Sequence, residues 1–214
     1  MKRTCVVGIG LLLAMSLPLP VAAVERGELL IGVSGGWSTP VGDYPTTDFG
    51  DKVKGGVGFG AAVDKLVTDR ISVGGEFGAS FNPFDQDFIA DSLKTGSRYT
   101  PDYKWRTMYA GARGRYYLNL LGNVNFFAQL GIGAYINKFT SNLNWDRQNG
   151  VVTPIEKSDT RTDIGMSFGP GALIRVSQHG RLSVQAIFNN VFTSGQSLRF
   201  AGLGAGLTFQ IPTQ

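Results

Sequence analysis

The residues best suited to chemistry are few and scattered. The single histidine, His179, stands two positions after Ser177 and directly before Gly180. A serine close to a histidine could supply a nucleophile and its base, but Ser, His and Gly together also form ordinary turns. The chain has no second histidine, and its one cysteine is Cys5. We therefore predict a turn at His179, no catalytic residue, no zinc site of the usual type and no enzymatic activity.

Glycine runs and aspartate clusters are the next candidates for ligand sites. Alternating glycines stand at Gly56, Gly58 and Gly60 and again at Gly202, Gly204 and Gly206. No amphipathic helix follows them, as a phosphate-binding loop requires, and a spacing of two places each run on one strand face. Carboxylates that could bind Ca²⁺ stand at Asp43, Asp48 and Asp51, and at Asp85, Asp87 and Asp91. They lack EF-hand spacing, so we predict solvated loop charges, no metal and no cofactor.

The elements that carry these residues have a period of two. From Leu29 onward, apolar side chains alternate with small or charged ones, and no segment shows the helical period of 3.6. Eight such segments predict eight strands, joined by connections at 38–54, 65–69, 82–103, 119–124, 139–160, 177–181 and 193–197. Long and short connections alternate until the short last one. Three long loops are therefore expected at one end of the sheet.

Composition indicates which face of a closed sheet points outward. A soluble barrel would carry Lys, Glu and Thr on its outer face, but here the face opposite the apolar one is mostly Gly, Ser and Ala. Small residues fit the narrow interior of an eight-stranded barrel, and a lipid-facing surface carries few charges. The sequence thus predicts an all-β, eight-stranded antiparallel up-and-down transmembrane β-barrel. The alternative is a soluble sandwich with an aromatic core.

Aromatic residues near the strand ends are expected to form two belts at the membrane interfaces. The belt beside the long connections comprises Trp37, Phe81, Trp105, Phe139 and Phe200. The belt beside the short connections comprises Tyr116, Tyr117, Phe126 and Phe209. All nine side chains are predicted to face lipid.

Charged residues on the opposite strand faces are predicted to point into the barrel. They are Asp64, Glu76, Arg113, Arg115 and Arg175. A charge in a narrow lumen is costly unless it is paired, and Glu76 and Arg113 stand at similar heights on consecutive strands. We predict an ion-pair network that fills and stiffens the barrel. The alternative is a gated polar path for small solutes.

The N-terminus has the composition of an export signal. Lys2 and Arg3 precede an uncharged, strongly apolar segment that ends in small residues at Ala23. Its prolines and small residues favour a cleaved signal peptide over a membrane anchor. We predict a signal peptide over 1–23 and a barrel domain over 24–214. Loss of the two basic residues lowers the formal charge from +4 to +2, which does not favour nucleic-acid binding.

These features together resemble the small outer-membrane β-barrel superfamily of OmpA and OmpX type, without a periplasmic OmpA-like domain. The resemblance rests on the signal, the Gly-rich alternating strands, the short turn within 64–76 and the closing segment 202–209. It implies a monomer in the outer membrane of a Gram-negative bacterium. The implied partners are outer-membrane lipid, lipopolysaccharide, the barrel-assembly machinery and an unspecified surface ligand.

The implied role is non-enzymatic: membrane anchoring and presentation of three long extracellular loops. The alternative is a narrow channel or carrier for small or hydrophobic solutes, as in OmpW-like barrels. One feature departs from the family pattern. Such chains usually end on an aromatic residue that the assembly machinery reads, whereas five residues follow Phe209 here.

Overall fold

The fold is dominated by long strands. A computed structural model describes residues 27–41, 52–93, 100–118, 123–146, 151–194 and 197–212. The strands are β1 (Leu29–Pro40), β2 (Gly56–Thr68), β3 (Ile71–Pro83), β4 (Lys104–Leu118), β5 (Val124–Ser141), β6 (Asn144–Asp146), β7 (Val151–Thr153), β8 (Lys157–Arg175), β9 (Gly180–Phe192) and β10 (Ser197–Ile211). The short strands β6 and β7 pair only with each other. The described chain also contains helix α1 (Gln86–Leu93).

The eight long strands form a closed barrel. Each pairs antiparallel with its neighbours along the chain, and β1 pairs with β10 to close the sheet. The closing register runs from Leu29 opposite Ile211 to Pro40 opposite Phe200. Closure leaves no barrel strand with a free edge. The predicted eight-stranded antiparallel up-and-down barrel is confirmed.

The three long connections lie at one end of the barrel. Short connections follow β2, β4 and β8 at the other end, which we call the turn end. The other side, the loop end, carries L1 (41–55), L2 (84–103), L3 (142–156) and the short L4 (193–196). The turn after β2 is set by Thr68, whose Oγ1 accepts hydrogen bonds from the backbone N–H groups of Arg70 at 3.2 Å and Ile71 at 3.0 Å.

Side chains alternate between the lumen and the outer surface. On β4, Met108 is 53% exposed, whereas Arg113 and Arg115 are buried. The outward positions from Met108 to Leu118 carry no charge. With a rise of about 3.4 Å per residue and a strand tilt of about 40°, this segment covers roughly 25 Å along the barrel axis. That height equals the lipid-facing band of outer-membrane barrels.

Helix α1 interrupts the strand pattern in L2. The sequence predicts no helical period, and this prediction is wrong for Gln86–Leu93. Two turns are too short to show a clear period, and Asp85 starts them by accepting the backbone N–H of Phe88 on Oδ1 at 3.3 Å. Ile89 is completely buried, so tertiary packing stabilises this short helix. No helix in the described ranges is long and apolar enough to cross a bilayer.

Candidate functional site: a charged network between two apolar plugs

A buried salt bridge joins β2 to β4 inside the lumen. Arg113 donates from Nε to Asp64 Oδ1 at 2.9 Å and from Nη2 to Asp64 Oδ2 at 2.6 Å. The two side chains are only 6% and 2% exposed. Two parallel charge-assisted bonds fix the guanidinium in the plane of the carboxylate, which makes this a strong and directional pair.

Glu76 of β3 extends this pair across the lumen. Arg113 Nη1 lies 3.2 Å from Glu76 Oε2. The hydroxyl of Ser167, on β8, donates to Glu76 Oε1 at 3.3 Å. Arg113 is therefore shared by two carboxylates, and the network links strands on opposite sides of the barrel.

Arg115 is a second cation next to the Asp64 carboxylate. Its Nη1 lies 3.5 Å from Asp64 Oδ2. Its remaining donors bind two glutamines, Nε to Gln129 Oε1 and Nη2 to Gln185 Oε1, each at 3.2 Å. The guanidinium also lies 4.4 Å from the ring centroid of Phe127, within cation–π range.

Glycines make room for the charged side chains. Cross-strand pairing places Asp64, Gly74, Arg113, Gly131 and Ser167 in one row around the wall. A Cβ on Gly74 would lie 2.6 Å from Asp64 Oδ1, and a Cβ on Gly131 would lie 3.1 Å from Glu76 Oε1. Because Gly74 has no side chain, Arg113 can pass over it to reach Asp64 two strands away.

The network is balanced in charge. Two carboxylates face two guanidiniums, and such pairing offsets the several kcal/mol that each ion loses on leaving water. Of the five residues predicted for it, the structure brings together Asp64, Glu76, Arg113 and Arg115. Arg175 does not join them. It is the last residue of β8, at the turn-end rim, and its Nε donates to the Ser177 carbonyl at 3.2 Å.

Sequence reasoning missed a further inward-facing cation, which lies near the turn end. Arg181 is 3% exposed and donates from Nη2 and Nε to Gln210 Oε1 at 2.8 and 3.2 Å. Alternation along β9 could have identified Arg181, because it lies on the same face as Ser183 and Gln185. From the sequence, Arg181 falls at the end of the predicted connection 177–181 and is therefore assigned to no strand face.

Apolar clusters close the lumen on both sides of the network. The loop-end plug consists of Val53, Phe84, Ile89, Tyr103, Trp105, Tyr135, Leu143, Val191, Leu198 and Phe200. The turn-end plug consists of Leu30, Leu66, Tyr117, Phe127 and Leu173. The described parts of L1, L2 and L3 all contribute residues to the loop-end plug and so cover the mouth of the barrel.

A small cavity lies beside the network, against the wall formed by β10, β1 and β2. Its volume is about 90 Å³. The inward positions lining it are mostly glycine and serine: Ser34, Gly36, Gly58, Gly60, Gly202 and Gly204. The cavity is large enough to hold water.

Aromatic side chains divide between the outer surface and the plugs. Exposed on the outer face are Trp37, Phe81, Tyr116, Phe126 and Phe209. The prediction of lipid-facing rings is wrong for Trp105, Tyr117, Phe139 and Phe200, which pack in the plugs or against them. The reason is parity: Trp105 and Tyr117 occupy the same odd-numbered face of β4 as Arg113. Nearness to a strand end suggested a belt, but alternation determines the direction of each side chain.

The remaining candidate residues lie in connections. His179 lies in the turn before β9, where Ser177 Oγ accepts the backbone N–H of Gly180 at 2.8 Å. Asp85 starts α1, which carries Asp87 and Asp91, while the aspartates at 43, 48 and 51 and the predicted signal at 1–23 lie outside the described residues. Within the described ranges, no three acidic, histidine or cysteine residues are grouped to hold a metal.

Family comparison assigns this architecture. The outer membrane protein beta-barrel domain matches residues 9–210. The chain belongs to this family. No curated protein sequence matches it. Family membership places the barrel in an outer membrane, so its exposed apolar surface faces lipid.

Solved structures share the fold at low sequence identity. The Yersinia pestis attachment invasion locus protein Ail is 18% identical, with a TM-score of 0.50, and the match covers 86% of this chain and 100% of Ail. Neisserial surface protein A is 13% identical, with a TM-score of 0.53 and coverage of 87% and 100%. A major outer membrane protein of Thermus thermophilus is 11% identical, with a TM-score of 0.54 and coverage of 86% and 99%. These likenesses establish the fold alone.

Proposed function

We propose that this outer-membrane barrel anchors a folded loop surface at the cell exterior and does not conduct solutes through its lumen. The observation that carries the proposal is that the charged network lies between two apolar plugs, which close the lumen on both sides. An eight-stranded barrel has an interior just wide enough for side chains to fill. We therefore assign a non-enzymatic surface role to the loop end.

The loops support this role because hydrogen bonds hold L2 together and join it to L3. Gln86 of α1 pairs with the backbone of Tyr103, donating to its carbonyl at 2.8 Å and accepting its N–H at 3.2 Å. Asn142 of L3 accepts the N–H of Asp102 at 2.7 Å and donates to the carbonyl of Thr100 at 2.8 Å. Because these contacts already order the loops, a partner that binds there causes a smaller loss of conformational entropy.

Conductance in planar bilayers tests the sealed lumen. The wild-type barrel should show no steady conductance, while a large porin inserted in parallel serves as the positive control. A Phe84→Ala/Ile89→Ala variant removes loop-end plug side chains and should leave the lumen closed, because the charged network and the turn-end plug remain. A steady wild-type conductance that changes in Glu76→Gln would contradict the proposal and favour the narrow channel.

Cysteine labelling tests which end faces outward. The chain beyond Cys5 contains no cysteine, so Asp91→Cys on α1 and Asp69→Cys in the turn after β2 each introduce one reporter in the barrel domain. Both positions are exposed. A membrane-impermeant maleimide added to intact cells should label Asp91→Cys and not Asp69→Cys. Equal labelling after cell lysis is the control, and the reverse pattern on intact cells would overturn the orientation.

A further inference from the structure

The outer surface carries an unusual pair of cations at the loop-end edge of its apolar band. Arg106 of β4 and Lys138 of β5 are directly opposite each other in the strand register, and both are exposed. On each strand, the next outward residue toward the turn end is apolar, Met108 on β4 and Ile136 on β5. The two cations therefore mark the point where the lipid-facing surface ends.

Like charges opposite each other on adjacent strands destabilise a sheet unless an anion lies between them. Among the described residues, neither Arg106 nor Lys138 forms an ion pair with a carboxylate. The nearby Lys104 is paired with Asp102 at 2.6 Å. The described part of the chain thus supplies no carboxylate as a counter-charge for this pair.

The surroundings fit a phosphorylated lipid. The Arg106 guanidinium lies 5.8 Å from the ring centroid of Phe81, which holds it close to the barrel surface. Thr160 is opposite Lys138 on β8 and offers a hydroxyl on the same outward face. Toward the turn end, the outward surface continues through Met108, Ala110 and Ala134, where acyl chains can pack. Guanidinium and ammonium groups are the usual ligands of phosphate.

We propose that Arg106 and Lys138 bind the phosphates of lipid A, the glycolipid anchor of lipopolysaccharide, with its acyl chains on the apolar surface toward the turn end. This rests on the proposed orientation, because only the leaflet at the loop end can place headgroups at this height. Two neighbouring cations match a lipid with more than one phosphate better than a phospholipid that carries one.

Native mass spectrometry of the refolded barrel in neutral detergent tests the site. The probes are bisphosphorylated lipid A, the same lipid A after removal of its phosphates, and phosphatidylglycerol. We expect bisphosphorylated lipid A to remain bound to the wild type and Arg106→Gln/Lys138→Gln to lose affinity by about tenfold or more. The matched control is Lys65→Gln/Arg70→Gln, which removes the same charge from exposed positions near the turn end.

Three outcomes would overturn the site. Equal loss in both double variants would show that net charge alone governs binding. Equal binding of dephosphorylated lipid A would exclude phosphate recognition. Phosphatidylglycerol binding that equals lipid A binding and falls with it in Arg106→Gln/Lys138→Gln would make this a general lipid-phosphate site. Because the assay uses detergent, its result is independent of the labelling experiment that tests orientation.

A stability measurement separates lost binding from lost folding. In neutral detergent, Arg106→Gln/Lys138→Gln should resist urea at least as well as wild type, because the variant removes a like-charge pair. Added bisphosphorylated lipid A should stabilise the wild type and not this variant, since a ligand stabilises only the state that binds it. Equal stabilisation of both proteins would contradict the proposal.

Discussion

Arg113 is the residue on which the interior charge balance depends. Its replacement by methionine fills similar space but leaves Asp64 and Glu76 without their shared cation. Removing one partner of a buried pair is expected to lower the free energy of unfolding by about 3–5 kcal/mol. Urea unfolding in lipid vesicles, followed by cold gel mobility, measures the change. Arg70→Met, in the exposed turn, is the control and should remain close to wild type; equal stability of Arg113→Met would contradict a net stabilising role for the network.

Gly74 and Gly75 provide a matched pair on one strand. A Cβ on Gly74 would collide with the Val63 carbonyl and lie 2.6 Å from the Asp64 carboxylate, whereas a Cβ on Gly75 would meet only the Gly111 carbonyl, at 3.6 Å. Gly74→Ala should therefore destabilise the barrel by about 1–3 kcal/mol, the usual range for overpacking. The same urea assay checks it. If Gly75→Ala costs as much, the clearance for Arg113 does not explain the loss at Gly74, because strand propensity alone favours alanine over glycine.

Alternation predicted the direction of Asp64, Glu76, Arg113 and Arg115 but not the strongest contact among them. The Arg113 and Asp64 strands are not neighbours, and the two residues meet only because Gly74 lies opposite both. That register is set by turn geometry and barrel closure, which have no period in the sequence. The same alternation, applied to Trp105, would have corrected the belt assigned from strand ends.

Helix α1 begins at an Asp85 cap that acid should remove. The pKa of Asp85 is lowered, first by the backbone N–H of Phe88 and then by Lys54, whose Nζ lies 3.2 Å from Oδ2. A lowered folded-state pKa means that the stabilisation is present above the unfolded value of 3.8 and is lost as the pH falls through the folded value. Amide exchange over 86–93, corrected for intrinsic rates, should lose protection between pH 6 and pH 3.

Asp85→Asn distinguishes the cap from the ion pair. Asparagine still caps a helix but does not titrate, so this variant should retain protection at both pH values. Asp85→Ala should lose this protection at both pH values. Amides of β4, which are held by the barrel ladder, provide the internal reference. A wild-type α1 whose protection is unchanged at pH 3 would show that Ile89 packing alone maintains the helix.

The strands could be predicted closely and the plug could not. A period of two continues through every barrel strand, so β4 and β9 are readable from a few alternating residues. The loop-end plug instead combines Val53, Ile89 and Leu143 from three separate loops. Contacts between distant loops leave no local pattern in the sequence. Helix α1 is too short to show a clear helical period.

The whole molecule is apolar outside and polar inside at its middle, the reverse of a soluble barrel. Its three tryptophans are Trp37, Trp105 and Trp145. Trp37 is 55% exposed on the outer face, whereas Trp105 is 3% exposed in the loop-end plug and donates from Nε1 to Thr107 Oγ1 at 3.0 Å. The fluorescence of Trp37 therefore reports on the outer face of the barrel wall, and that of Trp105 reports on the inner face.

Lipids brominated in their acyl chains should distinguish these faces. Variants that retain only Trp37 or only Trp105, with the other tryptophans changed to phenylalanine, are refolded into such vesicles. Strong quenching of Trp37 and little quenching of Trp105 is expected, because bromine quenches only rings that touch the hydrocarbon. Cold and boiled gel mobility checks that both variants form closed barrels. Equal quenching would mean that the loop-end plug is open to lipid. Quenching of Trp105 alone would mean that the inner and outer faces of the barrel are assigned the wrong way round. The charged network would then face the membrane, where it could not remain ionised.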